Sequence, residues 1–193
     1  MSQDLILKNI AKHIDLDKEE ETFFLSLIKN KEVDKKTLLL KEGQICKYIN
    51  FVNTGALRAF HVDKTDKEAT IMFALQDWWI TDMYCFLNAK PAMVYIEAIE
   101  DSNILQLSKE NLEKLYIKVP KFERFFRILM QNAYTREQLR IIENLTLTAE
   151  QRYEHFLLKY PRFAKAVSQK QIASYLGITP EFLSAIRKNK TKR

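Results

Sequence analysis

The sequence predicts an α+β fold in which an N-terminal β-roll or jelly roll with flanking helices precedes a long helix and a C-terminal helix-turn-helix domain. Short runs rich in β-branched and aromatic residues, separated by turn signals, recur between residues 37 and 107, as is typical of sandwiches and barrels. After Pro120, a stretch of some 25 residues contains no glycine or proline, which indicates one long helix. Two closely spaced helix starts near the C-terminus indicate the helix-turn-helix.

Composition excludes several classes of protein. Of the 193 residues, 47% are apolar and 29% are charged, which is ordinary for a globular chain with a hydrophobic core. Because the whole sequence has three glycines, a glycine-rich phosphate-binding loop is impossible. No apolar run has the length of a membrane span, and the first residues lack the pattern of a secretory signal. We therefore expect a cytoplasmic protein without a membrane partner.

The residues that usually build catalytic or metal sites are few and scattered. The sequence has two cysteines, Cys46 and Cys85, and three histidines. Two thiols are too few for a four-ligand zinc site or an iron–sulfur cluster, and no paired-histidine motif is present. We therefore predict no metal, no catalytic residue and no enzymatic activity, and we interpret both cysteines as buried thiols.

The N-terminal part of the sequence opens with a helix and continues as strands. Asp17 and Glu20 have the spacing of a capping box, so the following ETFFLSLIKN predicts an amphipathic helix that extends to Asn30. The alternation of apolar and polar residues over 57–62 predicts a half-buried strand.

The long helix is predicted over residues 119–146. Its first half is apolar over much of its circumference, whereas a surface helix needs a single apolar stripe. The sequence therefore predicts that this helix packs both on its own domain and on its copy in a second chain, as in a homodimer. A central helix in a monomer stays open as an alternative. The apolar residues concerned are Phe122, Phe125, Phe126, Ile128, Leu129, Met130 and Ala133.

Residues 147–193 are predicted to form the helix-turn-helix domain. Capping boxes begin helices at Thr148 and Ser168, and Thr179 caps a third helix whose first residue is Pro180. Gly177 stands where the turn between the last two helices requires a positive φ. The residues predicted to pack in and between these two helices are Ile172, Ala173, Leu176, Ile178, Leu183 and Ile186.

The positive charge of the chain is concentrated in this domain. From residue 146 to residue 193 the sequence has ten Lys or Arg and three Asp or Glu, whereas the remainder has 21 basic and 22 acidic residues. A basic module on a near-neutral body favours a polyanionic partner, most often nucleic acid, and we predict double-stranded DNA. A basic surface that only confers solubility stays open as an alternative.

The second helix of the motif is predicted to enter the major groove. Glu181 has the chemistry to accept a hydrogen bond from cytosine, and Lys188 to donate one to guanine or phosphate, although an acid at Glu181 also suits the first turn of any helix. Five residues are predicted to face the bases: Pro180, Glu181, Ser184, Ala185 and Lys188. Five more are predicted to lie near the DNA backbone: Gln169, Lys170, Thr179, Arg187 and Lys190.

Two stretches resemble the Crp/Fnr family of bacterial transcription regulators. They are KEGQICKYINFVNTGALRAF, with Gly43 and Gly55 at turn positions of the roll, and SQKQIASYLGITPEFLSAIRK. The resemblance covers nearly the whole chain. It implies a cyclic-nucleotide-binding-like sensor domain over residues 1–118, a dimerisation helix over 119–146 and a DNA-binding domain over 147–193. It also implies an effector held between the roll and the long helix, and RNA polymerase as a further partner.

The sequence departs from this family at the effector site. Members that bind cyclic nucleotides carry a Gly-Glu pair and, further on, an arginine that faces the phosphate, and the matching positions here are Thr81, Asp82 and Ala92. Because a buried phosphate without a cation lacks its strongest contact, we expect neither cyclic AMP nor another cofactor. The shortage of cysteines also excludes the oxygen-sensing branch of the family. Five residues of this region have two open interpretations: they line a different effector pocket, or they simply fill the interior of the roll. These residues are Trp78, Trp79, Thr81, Asp82 and Tyr84.

A second departure concerns the DNA. The arginines that the family carries on its recognition helix fall at Pro180 and Ala185, so we expect a different target sequence. No β-hairpin wing is visible after the recognition helix, and the basic residues of 187–193 are expected to contact the DNA backbone instead. A ligand-sensing or protein-interaction module whose helix-turn-helix no longer reads DNA therefore stays open as an alternative.

Overall fold

The computed structural model describes residues 3–191. For four of them it describes the backbone alone: Phe163, Lys165, Lys190 and Thr191. The described strands form two antiparallel four-stranded sheets, in the orders β1-β8-β3-β6 and β2-β7-β4-β5. In chain order the strands are β1 (Ile28–Val33), β2 (Leu38–Leu40), β3 (Tyr48–Thr54), β4 (Ala56–Val62), β5 (Glu68–Leu75), β6 (Trp79–Ile80), β7 (Tyr95–Ala98) and β8 (Ser102–Ser108). The predicted β-roll is thereby confirmed.

Helices surround the roll and make up the C-terminal part of the chain. In chain order those of the described residues are α1 (Asp4–Ala11), α2 (Lys18–Ser26), α3 (Met83–Asn88), α4 (Lys109–Lys118), α5 (Lys121–Thr146), α6 (Ala149–Lys159), α7 (Phe163–Ala166), α8 (Gln169–Leu176) and α9 (Pro180–Thr191). Pro120 is the N-cap of the long helix α5, one residue before the helix begins. The fold class is the predicted one, an α+β roll followed by a long helix and a helix-turn-helix.

The predicted helix starts depend on local hydrogen bonds that form in the structure. The three capping boxes begin α2 at Asp17, α6 at Thr148 and α8 at Ser168. In each case the capping side chain and the residue three positions later satisfy each other's backbone amides. Amides in the first turn of a helix have no partner inside the helix, so these pairs fix where each helix begins.

One N-terminal prediction was wrong. The amphipathic helix was expected to extend to Asn30, but α2 ends at Ser26 and the chain continues as β1. This strand pairs with β8 over its whole length, from Ile28 opposite Leu107 to Val33 opposite Ser102. Its middle residues are polar and exposed, as is common in edge strands. Because β8 lies far from β1 in the sequence, no local pattern of residues predicts this strand.

The tight turn between β3 and β4 requires Gly55. Its φ is +85°, and a Cβ atom added there would lie 2.3 Å from Ser102 Oγ and 2.6 Å from the carbonyl oxygen of Asp101. Both the backbone conformation and the close approach of β8 exclude a side chain at this position.

Two hydrophobic cores lie on opposite faces of the sheet β2-β7-β4-β5. The first lies inside the roll and under the helices that cover it, and includes Leu57 and Ala59 of β4. The second joins the opposite face of that sheet, through Ala56, Phe73 and Leu75, to the helix-turn-helix domain. The C-terminal domain is therefore packed directly on the roll.

Candidate nucleic-acid interface and sensor pocket

The turn between α8 and α9 is built as the sequence predicts. Gly177 ends α8 in the left-handed conformation, with φ +68°, which glycine adopts without strain. The amide of Ile178 donates to the carbonyl of Ala173 at 3.0 Å, and the amide of Phe182 donates to the Thr179 hydroxyl at 3.2 Å. These bonds satisfy the backbone at the end of one helix and the start of the next.

Buried side chains hold the two helices of the motif at a fixed angle. Ile172, Ala173 and Leu183 are completely buried, and Leu176 and Ile186 are nearly so. The residues predicted to pack between the helices therefore do so, and the small Ala173 lets the helices approach each other closely.

The face of α9 opposite this apolar seam is open to solvent. All five residues predicted to face the bases are exposed: Pro180, Glu181, Ser184, Ala185 and Lys188. Among the predicted backbone contacts, three are exposed: Lys170, Thr179 and Arg187. Gln169 is half-buried and its side-chain oxygen is enclosed, without a hydrogen-bond partner in the described part of the chain. The side chain of Lys190 lies outside the described residues.

Phe182 is a prominent surface residue that the sequence reasoning missed. It lies in the first turn of α9 and 52% of it is exposed, which is unusual for a large aromatic residue. The signal was present in the sequence, because Phe182 falls outside the spacing of Leu183 and Ile186 that defines the buried seam. It adds an apolar element beside the polar face of the recognition helix.

The first helix of the motif is anchored on the roll. Ser174 Oγ of α8 accepts hydrogen bonds from the amide and the hydroxyl of Thr70 in β5, at 2.9 and 3.1 Å, and donates to the carbonyl of Glu68 at 2.8 Å. Beside them, the rings of Phe73 and Tyr175 lie 5.5 Å apart. Because α8 is fixed on β5, α9 is held with its polar face outward.

The long helix α5 has a buried start and an exposed continuation. Phe122, Phe125 and Phe126 are buried in the core of the roll. The predicted packing of this helix on its own domain is therefore confirmed for these three residues. Beyond them, six large apolar side chains are exposed: Met130, Tyr134, Leu139, Ile141, Ile142 and Leu145.

The five residues proposed for an effector pocket or for filling of the roll have different surroundings. Trp79 packs in the core against Phe51 and Phe125 and donates its indole N–H to Asn9 Oδ1 at 2.9 Å. Trp78 packs against both hydrophobic cores, and its ring lies next to that of Tyr160. Both tryptophans therefore have packing roles, and Trp78 lies where the two cores meet.

The other three residues of that set are also separated. Thr81 donates its hydroxyl to the carbonyl of Tyr48 at 3.0 Å. The buried carboxylate of Asp82 accepts from the amides of Cys85 and Met93, both at 3.0 Å, and so caps α3. Tyr84 is more than half exposed. These contacts give the three residues structural roles, and an effector pocket formed by the set stays a prediction.

A cleft of about 460 Å³ lies elsewhere in the roll. It opens between the two sheets, and its lining combines apolar and uncharged polar side chains with one lysine. The lining residues are Leu39, Leu40, Gln44, Ile45, Cys46, Lys47, Tyr48, Asn50, Ile96 and Gln106. Sequence reasoning missed this cleft because its walls come from strands that are distant in the sequence.

The two cysteines are buried, and the fold brings them together. The amide of Cys46 donates to the Sγ atom of Cys85 at 2.8 Å, although 39 residues separate them. Burial raises the pKa of the Cys85 thiol. Among the described residues, no group of three His, Cys, Asp or Glu is placed to hold a metal ion, and no described helix is both long and apolar enough to cross a membrane.

Comparison with known proteins agrees with this architecture. The family model described as "Cyclic nucleotide-binding domain" matches residues 30–118, which cover most of the roll and α4. The anaerobic regulatory protein of Pasteurella multocida is 21% identical over 196 aligned positions, which span 95% of this chain and 71% of that protein. The regulatory protein HlyX of Actinobacillus pleuropneumoniae has the same identity, over 95% of this chain and 81% of its own.

Solved structures share the fold over nearly the full length. A Crp/Fnr-family protein from Eubacterium rectale superposes with a TM-score of 0.73 at 17% identity, covering 92% of this chain and 85% of that one. FixK2 of Bradyrhizobium japonicum gives a TM-score of 0.71 at 23% identity, covering 86% and 85% of the two chains. The resemblance predicted from the sequence is confirmed: this chain is similar to Crp/Fnr-type transcription regulators over nearly its whole length.

Proposed function

We propose that the protein is a cytoplasmic, homodimeric transcription regulator whose two α9 helices read a two-fold-related site in double-stranded DNA. The observation that supports this most directly is the polar face of α9. Glu181, Ser184 and Lys188 are exposed together on a helix whose opposite side is locked into the motif. A helix held in this way can enter the major groove, and a dimer would place two of them about 34 Å apart.

The exposed part of α5 supports the dimer. Tyr134, Ile141 and Leu145 are 70%, 58% and 81% exposed, and with Gln138 they repeat in steps of four, three and four residues. This spacing is that of a two-stranded coiled coil. The occupant of this face that we propose is a second copy of α5, because a two-fold pair of such helices buries the same stripe in both chains.

We also propose that the effector is not a cyclic nucleotide. In this chain the α3 start is capped by the Asp82 carboxylate, and Ala92 stands where the family carries its phosphate-binding arginine. A phosphate there would meet a negative charge without a cation, which is unfavourable in a buried site. The cleft between the two sheets is the place we propose for an effector of another kind. RNA polymerase is proposed as a partner by family analogy only.

The test is selection of DNA fragments from a genomic library by the purified chain, followed by binding titrations on the enriched duplex. We expect an enriched near-palindrome, and affinity that falls steeply as salt concentration rises. Lys188→Ala should weaken binding about 5- to 100-fold, the usual range for a lost base or phosphate contact. Lys118→Ala, at an exposed lysine of α4, is the matched control and should leave affinity unchanged.

Two outcomes would contradict this function. Fragments without enrichment would favour a ligand-sensing or protein-interaction module, for which the exposed Phe182 would be a suitable contact. Equal losses in Lys188→Ala and Lys118→Ala would show that general charge, and not the α9 face, binds the DNA.

A further inference from the structure

A small, partly open hollow lies where the long helix meets the DNA-binding domain. It is enclosed by the distal half of α5 together with α6 and α8, and its volume is about 30 Å³. This space holds about two groups the size of a water molecule. It therefore has room for two oxygens of a phosphoryl group whose other oxygens lie at the open side, and it is too small for a nucleotide. The hollow is distinct from the cleft between the two sheets of the roll.

The lining of this hollow is strongly basic. Five basic side chains border it: Arg136, Arg140, Arg152, His155 and Lys159. Glu143 is the one carboxylate of the lining, and it lies 3.3 Å from His155 Nδ1. The lining itself thus has four permanent positive charges and one carboxylate, and Glu137, which is not part of the lining, pairs with two of these cations.

The bonds that these cations make leave much of the charge uncompensated. Arg152 donates to the carbonyls of Leu147 and Leu176, at 3.0 and 3.3 Å, and neither acceptor carries a formal charge. Arg140 donates to the carbonyl of Ile71 and hydrogen-bonds the Tyr175 phenol. Glu137 pairs with both Arg140 and Arg136, at 3.1 and 3.7 Å. Lys159 lies over the Tyr160 ring.

Two donors at this junction have no acceptor. The Nε atoms of Arg140, on α5, and of Arg152, on α6, are shielded from solvent and have no hydrogen-bond partner among the described residues. Buried polar groups are nearly always satisfied, so such orphans point to an unseen partner. An oxyanion between the two helices would accept from both arginines and offset the surplus charge.

We propose that this hollow binds one phosphate group, either free inorganic phosphate or the terminal phosphoryl group of a small metabolite. Arginine donors on two helices suit a phosphate, because its tetrahedral oxygens accept hydrogen bonds from more than one side. The bound phosphate bridges Arg140 and Arg152, and thereby clamps the first helix of the DNA-binding domain to α5. The binding of phosphate to this hollow does not depend on the proposed recognition of DNA. An effect of bound phosphate on the affinity for DNA would depend on that proposed function.

The test is a calorimetric titration of the full chain with inorganic phosphate, without DNA and at constant ionic strength set by chloride. We expect saturable binding of one phosphate per chain. Arg152→Gln should weaken it at least tenfold. Arg124→Gln, at an exposed arginine near the start of α5 and away from the hollow, is the matched control and should bind as the unmodified chain does.

A second variant keeps the test decisive if Arg152→Gln fails to fold. Lys159→Gln removes a cation of the same lining that makes no hydrogen bond to the carbonyls of the junction, and it should weaken phosphate binding severalfold. A non-saturable titration, or equal binding by Arg124→Gln and both lining variants, overturns the proposal. So does a loss of duplex affinity in Arg152→Gln without any binding of free phosphate, because the hollow would then take a DNA phosphate.

Discussion

The two halves of α5 are similarly rich in large apolar residues but lie in opposite surroundings. In the first turns, Phe122 stacks on Phe24 at 5.0 Å inside the core of the roll. Further along, Leu145 is 81% exposed and Tyr134 is 70% exposed. One half of the helix is therefore part of the monomer's own core, whereas the other half presents apolar surface that the monomer does not cover.

The second half also has two unlike sides. Its apolar residues point away from the chain, while Arg136 and Arg140 lie on the side packed against Trp78 and Tyr175, each at 5.1 Å from the ring centroid. The comparison teaches that α5 has three different surfaces. Its start is buried in the roll, one side of its second half is exposed and apolar, and the other side packs on the helix-turn-helix domain. We propose that the exposed side pairs with a second copy.

The largest expected effect is a difference in the free energy of unfolding between a substitution in the first half of α5 and one in its second half. Phe122→Ala should lower the free energy of unfolding by about 3–5 kcal/mol, because it removes a completely buried ring. Leu145→Ala should cost less than about 1 kcal/mol in the monomer. Urea unfolding at a high and a low protein concentration measures both. The Phe122 loss should be the same at the two concentrations, and a similar loss for Leu145 at low concentration would erase the distinction.

A smaller and more specific effect is expected on assembly. Ile141→Glu places a carboxylate in the proposed α5 pair, and desolvation of that charge in both chains should weaken dimerisation about 100-fold. Ile117→Glu is the matched control, at an isoleucine of α4 that is 82% exposed. Sedimentation velocity across a range of concentrations gives the dissociation constants. An unmodified chain that sediments as a monomer throughout, or equal weakening by both variants, would contradict the paired α5.

The helix-turn-helix was predictable because its signals are local. The capping box at Ser168, the positive φ of Gly177 and the apolar spacing from Ile172 to Ile186 all lie within some twenty residues. Each signal fixes the backbone or one helix face without help from the rest of the chain. The residues that α9 turns outward could therefore be named in advance.

The features that the sequence did not determine depend on distant partners. The strand β1, which was predicted as the end of a helix, pairs with β8, 69 to 79 residues further along the chain. That the roll covers Phe125, and that Trp79 bonds Asn9 from 70 residues away, also follows from the fold and not from any local pattern. Local periodicity states that a face is apolar, but it does not state which surface covers that face.

The smallest expected effect concerns the side of α5 that supports the DNA-binding domain, and it appears only at high pH. Burial raises the pKa of Tyr160 to about 12 and also raises that of Tyr175 above its ordinary value of 10.0. The folded state therefore favours the neutral phenol of each tyrosine over the charged phenolate. Their contribution to stability is therefore complete below pH 10 and is lost as the pH rises toward 12.

Tyr175→Phe should make the melting temperature less dependent on pH in this range. Each tyrosine contributes at most about 1.4 kcal/mol per pH unit, and less in practice because water reaches part of each ring. At pH 7 the variant should lose about 1 kcal/mol through its missing hydrogen bond to Arg140. Tyr84→Phe, at a tyrosine that is 54% exposed, is the control. If both variants melt with the pH dependence of the unmodified chain, the Tyr175 phenol does not help to hold α5 on the DNA-binding domain.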